Sequence, residues 1–261
     1  MNKYVENHEQ NYKEISIRFG LDVFVGRQHS TMKMIFMRGK KIHKNNITPV
    51  ENHFSYPPSD FCKVLGRANY PNYPVFYAGE SGSVICDEVE IIEDELFHLG
   101  IFRTKESVSL NCVLFLHDEL NDMNGWKNVL TESKKYVRDQ VSSEKFGSVW
   151  SKIQEASNIF RLDRSKYDLT ATIAYEWIYN KGMDAIIYPS VRNDNFCNFA
   201  LNPKFVDDNL ELYKVLLCKR KNDDNLAFLK KGMYIDNEMV WSVFDEDDYN
   251  EYISLYKHLL L

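Results

Sequence analysis

No apolar run in this chain approaches the ~18 residues that a membrane-crossing helix needs, so the sequence contains no transmembrane helix. Paired cysteines are missing as well. The five cysteines, at 62, 86, 112, 197 and 218, are odd in number, widely scattered and without a CxxC pair. That pattern argues against a disulfide framework or zinc cluster and suits reduced, buried thiols. The seven histidines show no HExxH or comparable ligand spacing, so no metal is expected. Basic charge is also short, with 32 Lys and Arg against 38 Asp and Glu and a net charge of -6. A general nucleic-acid binder needs a basic face and is excluded, although a local basic pocket for one small anion is not. Glycine (11) and proline (7) are few, repeats and low-complexity tracts are absent, and aromatics reach 14%, which rules out a disordered chain. The first residues, MNKYVENHEQNYKEI, lack the apolar stretch of a secretory signal, so a cytoplasmic protein is expected.

What remains is a chain of 261 residues, 44% hydrophobic, able to bury a sizeable core. Residues 4–18 read as a weakly patterned helix and 33–42 (KMIFMRGKKI) as a strand, with a long loop over 43–60. A short strand is predicted at 73–79, and SGS at 81–83 offers an N-cap for a helix over 84–96. A buried strand follows at 109–117, and residues 121–160 are polar and helical. Asp168 or Ser165 would cap a helix that Gly182 ends, and strands are expected at 184–190, 198–202 and 211–220. A hairpin over 232–244 turns near Asp236 and Asn237, before an acidic tail. Strands and helices mixed without regular βαβ alternation point to an α+β fold.

The chemistry-bearing residues are concentrated in two stretches, GRANYPNYPVFYAGESGSVICDE (66–88) and GMDAIIYPSVR (182–192). Arg67 follows Gly66 at a loop end, where a guanidinium can grip a phosphate or carboxylate with two hydrogen bonds; alone, it reads more readily as a surface ion-pair partner. Tyr77, on a strand, could stack on a flat heterocycle or simply fill the core. Glu88 falls near the second turn of the helix that SGS opens, where the helix dipole would keep it ionised; among so many neighbouring acids it also reads as a solvated helix residue. An ionised carboxylate beside an anomeric carbon can hold a ribose hydroxyl or stabilise oxocarbenium-like charge. Ser190 ends a strand, as ligand-binding residues and ordinary turn serines both do. No single one of these residues decides the function.

Their joint pattern, G-R-A-N-x6-F-Y-A-x9-E and then Y-P-S-V-R and N-F-A-L, resembles the RES-domain family over roughly residues 33–220. The residues matching the family's Arg, Glu and Ser are Arg67, Glu88 and Ser190, with Tyr77 on its tyrosine and Arg38 on the opening strand. Glu80 is the alternative carboxylate. The resemblance implies an ADP-ribosyltransferase-like split β-sandwich with flanking helices around an NAD cleft. The implied activity is cleavage of the nicotinamide–ribose bond of NAD+ by hydrolysis or phosphorolysis, in a toxin or effector that could be delivered into a target cell. Transfer of ADP-ribose to a protein, or a binding relative without turnover, are the alternatives. Arg67 and Arg38 would grip the diphosphate and Tyr77 would face nicotinamide or its ribose. Glu88 would stabilise the developing charge, Ser190 would hold the amide or a phosphate, and Arg192 would be a second anion contact. NAD+ is then substrate rather than prosthetic group, with inorganic phosphate as a conceivable co-substrate. The implied partner is a helix-turn-helix antitoxin or an immunity protein, with no direct nucleic-acid or membrane contact. Residues 1–32 and 221–261 are read as extensions, the first helical and the second packed on the 33–220 domain.

Overall fold

The computed structural model describes residues 3–19, 26–29, 33–42, 53–162, 167–193, 195–221, 225–236 and 238–257. Its strands are β1 (Gly26–His29), β2 (Ile35–Lys41), β3 (Phe76–Gly79), β4 (Leu96–Thr104), β5 (Ser109–Leu114), β6 (Ala185–Pro189), β7 (Cys197–Leu201), β8 (Leu210–Arg220), β9 (Leu226–Ile235) and β10 (Glu238–Val243). Its helices are α1 (Lys3–Glu6), α2 (His8–Phe19), α3 (Gly82–Glu88), α4 (Lys127–Gln140), α5 (Ser143–Leu162), α6 (Tyr167–Tyr175), α7 (Pro203–Asn209) and α8 (Glu246–Lys257), with one π-helical turn at Glu176–Asn180. The α+β class expected from the sequence is the class observed.

The ten strands run in the order β1-β5-β6-β7-β3-β2-β4-β8-β9-β10. Among them, β5 and β6 alone pair in parallel. In the middle the ladder narrows to one residue pair, Met37 of β2 opposite Gly79 of β3. The sheet is thus two five-stranded halves hinged at a seam, and the period-two alternation of each strand distributes side chains to three cores. Phe36 of β2, Phe76 and Ala78 of β3, Ala185 and Ile187 of β6 and Val215 of β8 share one cluster, so the two halves close on a common interior. On the outer face of the first half, Ile186, Tyr188 and Ala200 meet Phe19 of α2, Phe160 of α5 and Ile173 of α6. On the outer face of the second half, Ile35, Met37, Leu99 and Leu216 meet Ile85 of α3 and, at the margin, Tyr252 of α8.

Most predicted elements lie within a few residues of their observed positions, and the exceptions are instructive. The helix expected over 84–96 is only α3, ending at Glu88. After it the chain turns through Glu90 (φ 55) and Asp94 (φ 63), both left-handed, and enters β4 at Leu96. That nine-residue strand was hidden in the sequence because six consecutive buried residues, 97–102, erase the alternation that marks a half-buried strand. The predicted helix over 121–160 is two helices, α4 and α5. Asp168, expected as a cap, lies in the first turn of α6, and that helix passes into the π turn before Gly182, whose φ of +68 makes it a natural terminator. Ser165, Asn237 and residues 43–52 of the expected long loop lie outside the described residues. The acidic tail contains α8, whose first turn carries Glu246, Asp247 and Asp248 where the helix dipole favours anions. Through β9, β10 and α8, residues 226–257 belong to the same sheet and its outer core. Among the described residues no helix is long and apolar enough to cross a membrane, and all five cysteines are buried.

Candidate active site

The seam between the half-sheets opens into a cavity of about 380 Å³, within the range of small-molecule sites. It is lined by Arg38 and Gly39 of β2, Gly66 and Arg67 of the loop before β3, Tyr77, and Glu88 and Val89 at the end of α3. Tyr167, Tyr188, Arg192 and Asn198 complete its far wall. Of the site residues expected from the sequence, Arg38, Arg67, Tyr77, Glu88 and Arg192 therefore line the cavity, and Ser190 reaches it through Glu88. Three arginines against one carboxylate make the lining cationic in a protein that is acidic overall.

Glu88 owes its position to a close approach. A Cβ on Gly39 would collide with Ile85 Cγ2, so glycine there lets α3 settle directly on β2. Ser81 caps α3, its Oγ accepting from Val84 N–H. Because α3 is only seven residues long, Glu88 sits at its C-terminal end. It therefore lies away from the helix N-terminus whose dipole was expected to favour it, and specific hydrogen bonds hold the carboxylate. Ser190 Oγ donates to Glu88 Oε1 at 2.9 Å and Asn198 Nδ2 donates to the same atom at 2.7 Å. Among the described residues Oε2 takes no hydrogen bond, so one oxygen of this cavity-lining residue is fixed and the other is left open. Ser190, 1% exposed, also accepts from the backbone N–H groups of Arg192 and Asn193, which fixes the turn that presents Arg192.

Arg67 is buried and donates through Nη1 to the carbonyl of Phe160, with its guanidinium 5.3 Å from the Tyr167 ring centre and 5.9 Å from that of Tyr188. Arg38 donates to the carbonyl of Tyr77 at 2.7 Å and lies 5.2 Å from the Phe76 ring centre. Burial lowers the Arg38 pKa to about 10, which leaves it cationic at neutral pH. Neither arginine meets a carboxylate among the described residues, so both charges remain available to a bound anion. Arg192 is more exposed and lies 3.4 Å from Glu90.

Tyr77 has a structural task in addition to lining the cavity. Its hydroxyl accepts from Ala68 N–H at 2.7 Å and donates to Asn69 Oδ1 at 3.0 Å, tying β3 to the tight turn that carries Arg67. Burial pushes the phenol well above its ordinary pKa, so it stays neutral. Tyr188 is raised in the same way, by burial and the neighbouring Tyr77. Glu80, the alternative carboxylate, does not line the cavity. It is buried, with Trp126 Nε1 donating to one oxygen and Cys197 N–H to the other at 2.6 Å. Burial without a cation raises its pKa to about 7.

Sequence reasoning assigned no role to Asn198, Tyr188 or Tyr167. Asn198 opens the N-F-A-L word and Tyr188 lies in Y-P-S-V-R, so the signal for both was in the motifs themselves. Their partnership depends on β6 and β7 pairing with Tyr188 opposite Asn198. Tyr167 had no local signal.

A cationic, tyrosine-walled cleft with one anchored carboxylate has the makings of an enzyme site for an anionic, ring-bearing substrate. The RES domain profile matches residues 42–216, 175 of the 261 residues. The chain belongs to the RES domain family. Among solved structures, the M. tuberculosis MbcT–MbcA toxin–antitoxin complex is similar at 11% identity, with a TM-score of 0.35 over 94% of this chain and 96% of that one. No curated protein matches the chain.

Proposed function

We propose that this protein is an NAD+-degrading enzyme that cleaves the bond between nicotinamide and ribose. The observation carrying this reading is Glu88, pinned through Oε1 by Ser190 and Asn198 with Oε2 free of hydrogen bonds among the described residues, in the lining of a cavity that also holds Arg38 and Arg67. As the C–N bond breaks, its electron pair leaves with nicotinamide and positive charge grows on the ribose ring. A preoriented carboxylate stabilises that charge without reorganising, and Oε2 would also accept a bond from a ribose hydroxyl. The buried arginines would hold the diphosphate, and Tyr77 and Tyr188 would wall the ring systems. Nicotinamide departs as a neutral molecule from a pyridinium, so no general acid is required. Water attack yields ADP-ribose and a proton; phosphate attack yields its 1″-phosphate. Family membership supports a role as a toxin or effector restrained by a cognate antitoxin or immunity protein.

The test is to incubate purified protein with NAD+ in buffers with and without inorganic phosphate and to quantify free nicotinamide and the ribosyl product. Release is expected, with Arg67→Ala strongly impaired. No release under either condition would refute the reading. Labelling of protein in a lysate supplied with labelled NAD+, in place of free ADP-ribose, would move it to ADP-ribosyl transfer.

A further inference from the structure

The second half-sheet ends at β10, which pairs with β9 on one side and with no other strand among the described residues. An edge strand exposes alternate backbone N–H and C=O groups, a template that proteins normally blunt with lysine, proline or a covering element. β10 has none of these blunting residues: its sequence is EMVWSV. Beside it the chain leaves apolar side chains in water. Val240 is 49% exposed, its cross-strand partner Met233 is 49% and Ile235 is 53%, and all three share one face. Val243, at the strand end, is 76% exposed. The edge itself and both its flanks carry one sign of charge. Asp236, Glu238, Asp245, Glu246 and Asp247 are exposed, and residues 236–247 contain no Lys or Arg. On the neighbouring β9, Lys231 is engaged by Asp248 at 2.6 Å and Asp245 at 3.6 Å, and Lys230, opposite Val243, is exposed, so the other four carboxylates outnumber the one remaining lysine at the rim.

We propose that β10 is a docking edge for an extended peptide segment of alternating apolar and basic residues, which adds to the sheet as an eleventh strand. Backbone pairing supplies affinity in such complexes, and side chains of alternate residues supply selectivity. Apolar residues of the partner would lie against Val240 and Met233, and its basic residues against the flanking carboxylates. The charge pattern decides against a second copy of this chain. Antiparallel self-pairing of β10 places Asp236 and Glu238 of one copy beside Asp245, Glu246 and Asp247 of the other, and like charges across a strand pair repel. The edge is four strand spacings from β2, roughly 19 Å, so a segment docked there would leave the seam cavity open. It also lies beyond the part of the chain that matches the RES profile. The inference is therefore independent of the enzymatic reading.

The experiment uses a labelled seven-residue peptide alternating valine with lysine and arginine, titrated against the full chain by fluorescence anisotropy. Controls are the same peptide N-methylated at its three central residues and an analogue with glutamate in place of the basic residues. Saturable binding is expected, weakened about ten-fold by either change and by raising salt. Val240→Lys and Glu238→Lys, both at exposed positions, should weaken binding similarly with unchanged circular dichroism. Hydrogen exchange should slow at residues 238–243 and not around the cavity. Failure to bind, equal binding of the N-methylated peptide or unaffected binding by Val240→Lys would each overturn the proposal. Concentration-dependent dimerisation abolished by Val240→Lys would replace it with self-pairing.

Discussion

Replacing Glu88 with glutamine removes one charge and almost no volume. The new side-chain carbonyl can still accept from Ser190 Oγ and Asn198 Nδ2, so α3 stays seated and the cavity keeps its shape. An amide N–H₂ takes the place of the open Oε2. A unit charge about 4 Å from the developing cation, at an effective dielectric constant of about 20, contributes about 4 kcal/mol. The expected loss is therefore on the order of 10³ in kcat, with KM for NAD+ changed only a few-fold because the arginines that hold the diphosphate are intact. The assay is nicotinamide release under saturating NAD+, with thermal unfolding run in parallel to show that the variant folds. A Glu88→Gln protein that keeps its Tm and releases nicotinamide within about three-fold of the native rate would refute the electrostatic role.

Asn198→Ala and Ser190→Ala each remove one hydrogen bond to a charged acceptor, about 1.5–3 kcal/mol, and should lower kcat about ten-fold or more while sparing KM; steady-state kinetics decide. Arg67→Lys keeps the charge but loses the planar fork over Tyr167 and Tyr188, so KM for NAD+ should rise with the protein still folded. Lys214→Met removes a buried cation from Asp248 at 3.2 Å and Glu251 at 2.8 Å, leaving Asp248 with Lys231 and the half-exposed Glu251 with the Tyr213 hydroxyl. It should cost about 1.5–3 kcal/mol, read by chemical denaturation. Glu80, its folded pKa raised from 4.5 to about 7, binds its proton more tightly when folded. Its contribution is present below pH 4.5 and is lost as pH rises through 7, by about 3 kcal/mol, and Glu80→Gln should flatten that slope in denaturation curves taken from pH 5 to 8.

Much of this protein is carried by local pattern. Strands at 185–189, 197–201 and 210–220, the Gly182 stop and the hairpin turning at Asp236 (φ 51) follow from apolar runs and turn residues that any context would read alike. The motif words also brought together Arg38, Arg67, Tyr77, Glu88 and Ser190, residues far apart in the chain that meet at one seam. The tertiary structure decided what periodicity cannot encode. β4 is a strand because β2 and β8 flank it and both its faces are covered, which removes the alternation that would have marked it. Glu88 ends its helix rather than lying inside it, since the chain must turn at Glu90 to enter β4. The hold on its carboxylate therefore depends on Ser190 and Asn198, brought to it by the β6–β7 pairing across more than a hundred residues of chain. Local interactions select helix, strand and turn within a few residues; whether a carboxylate is a solvated surface acid or the anchored wall of a cationic cleft depends on which strands close on either side of it.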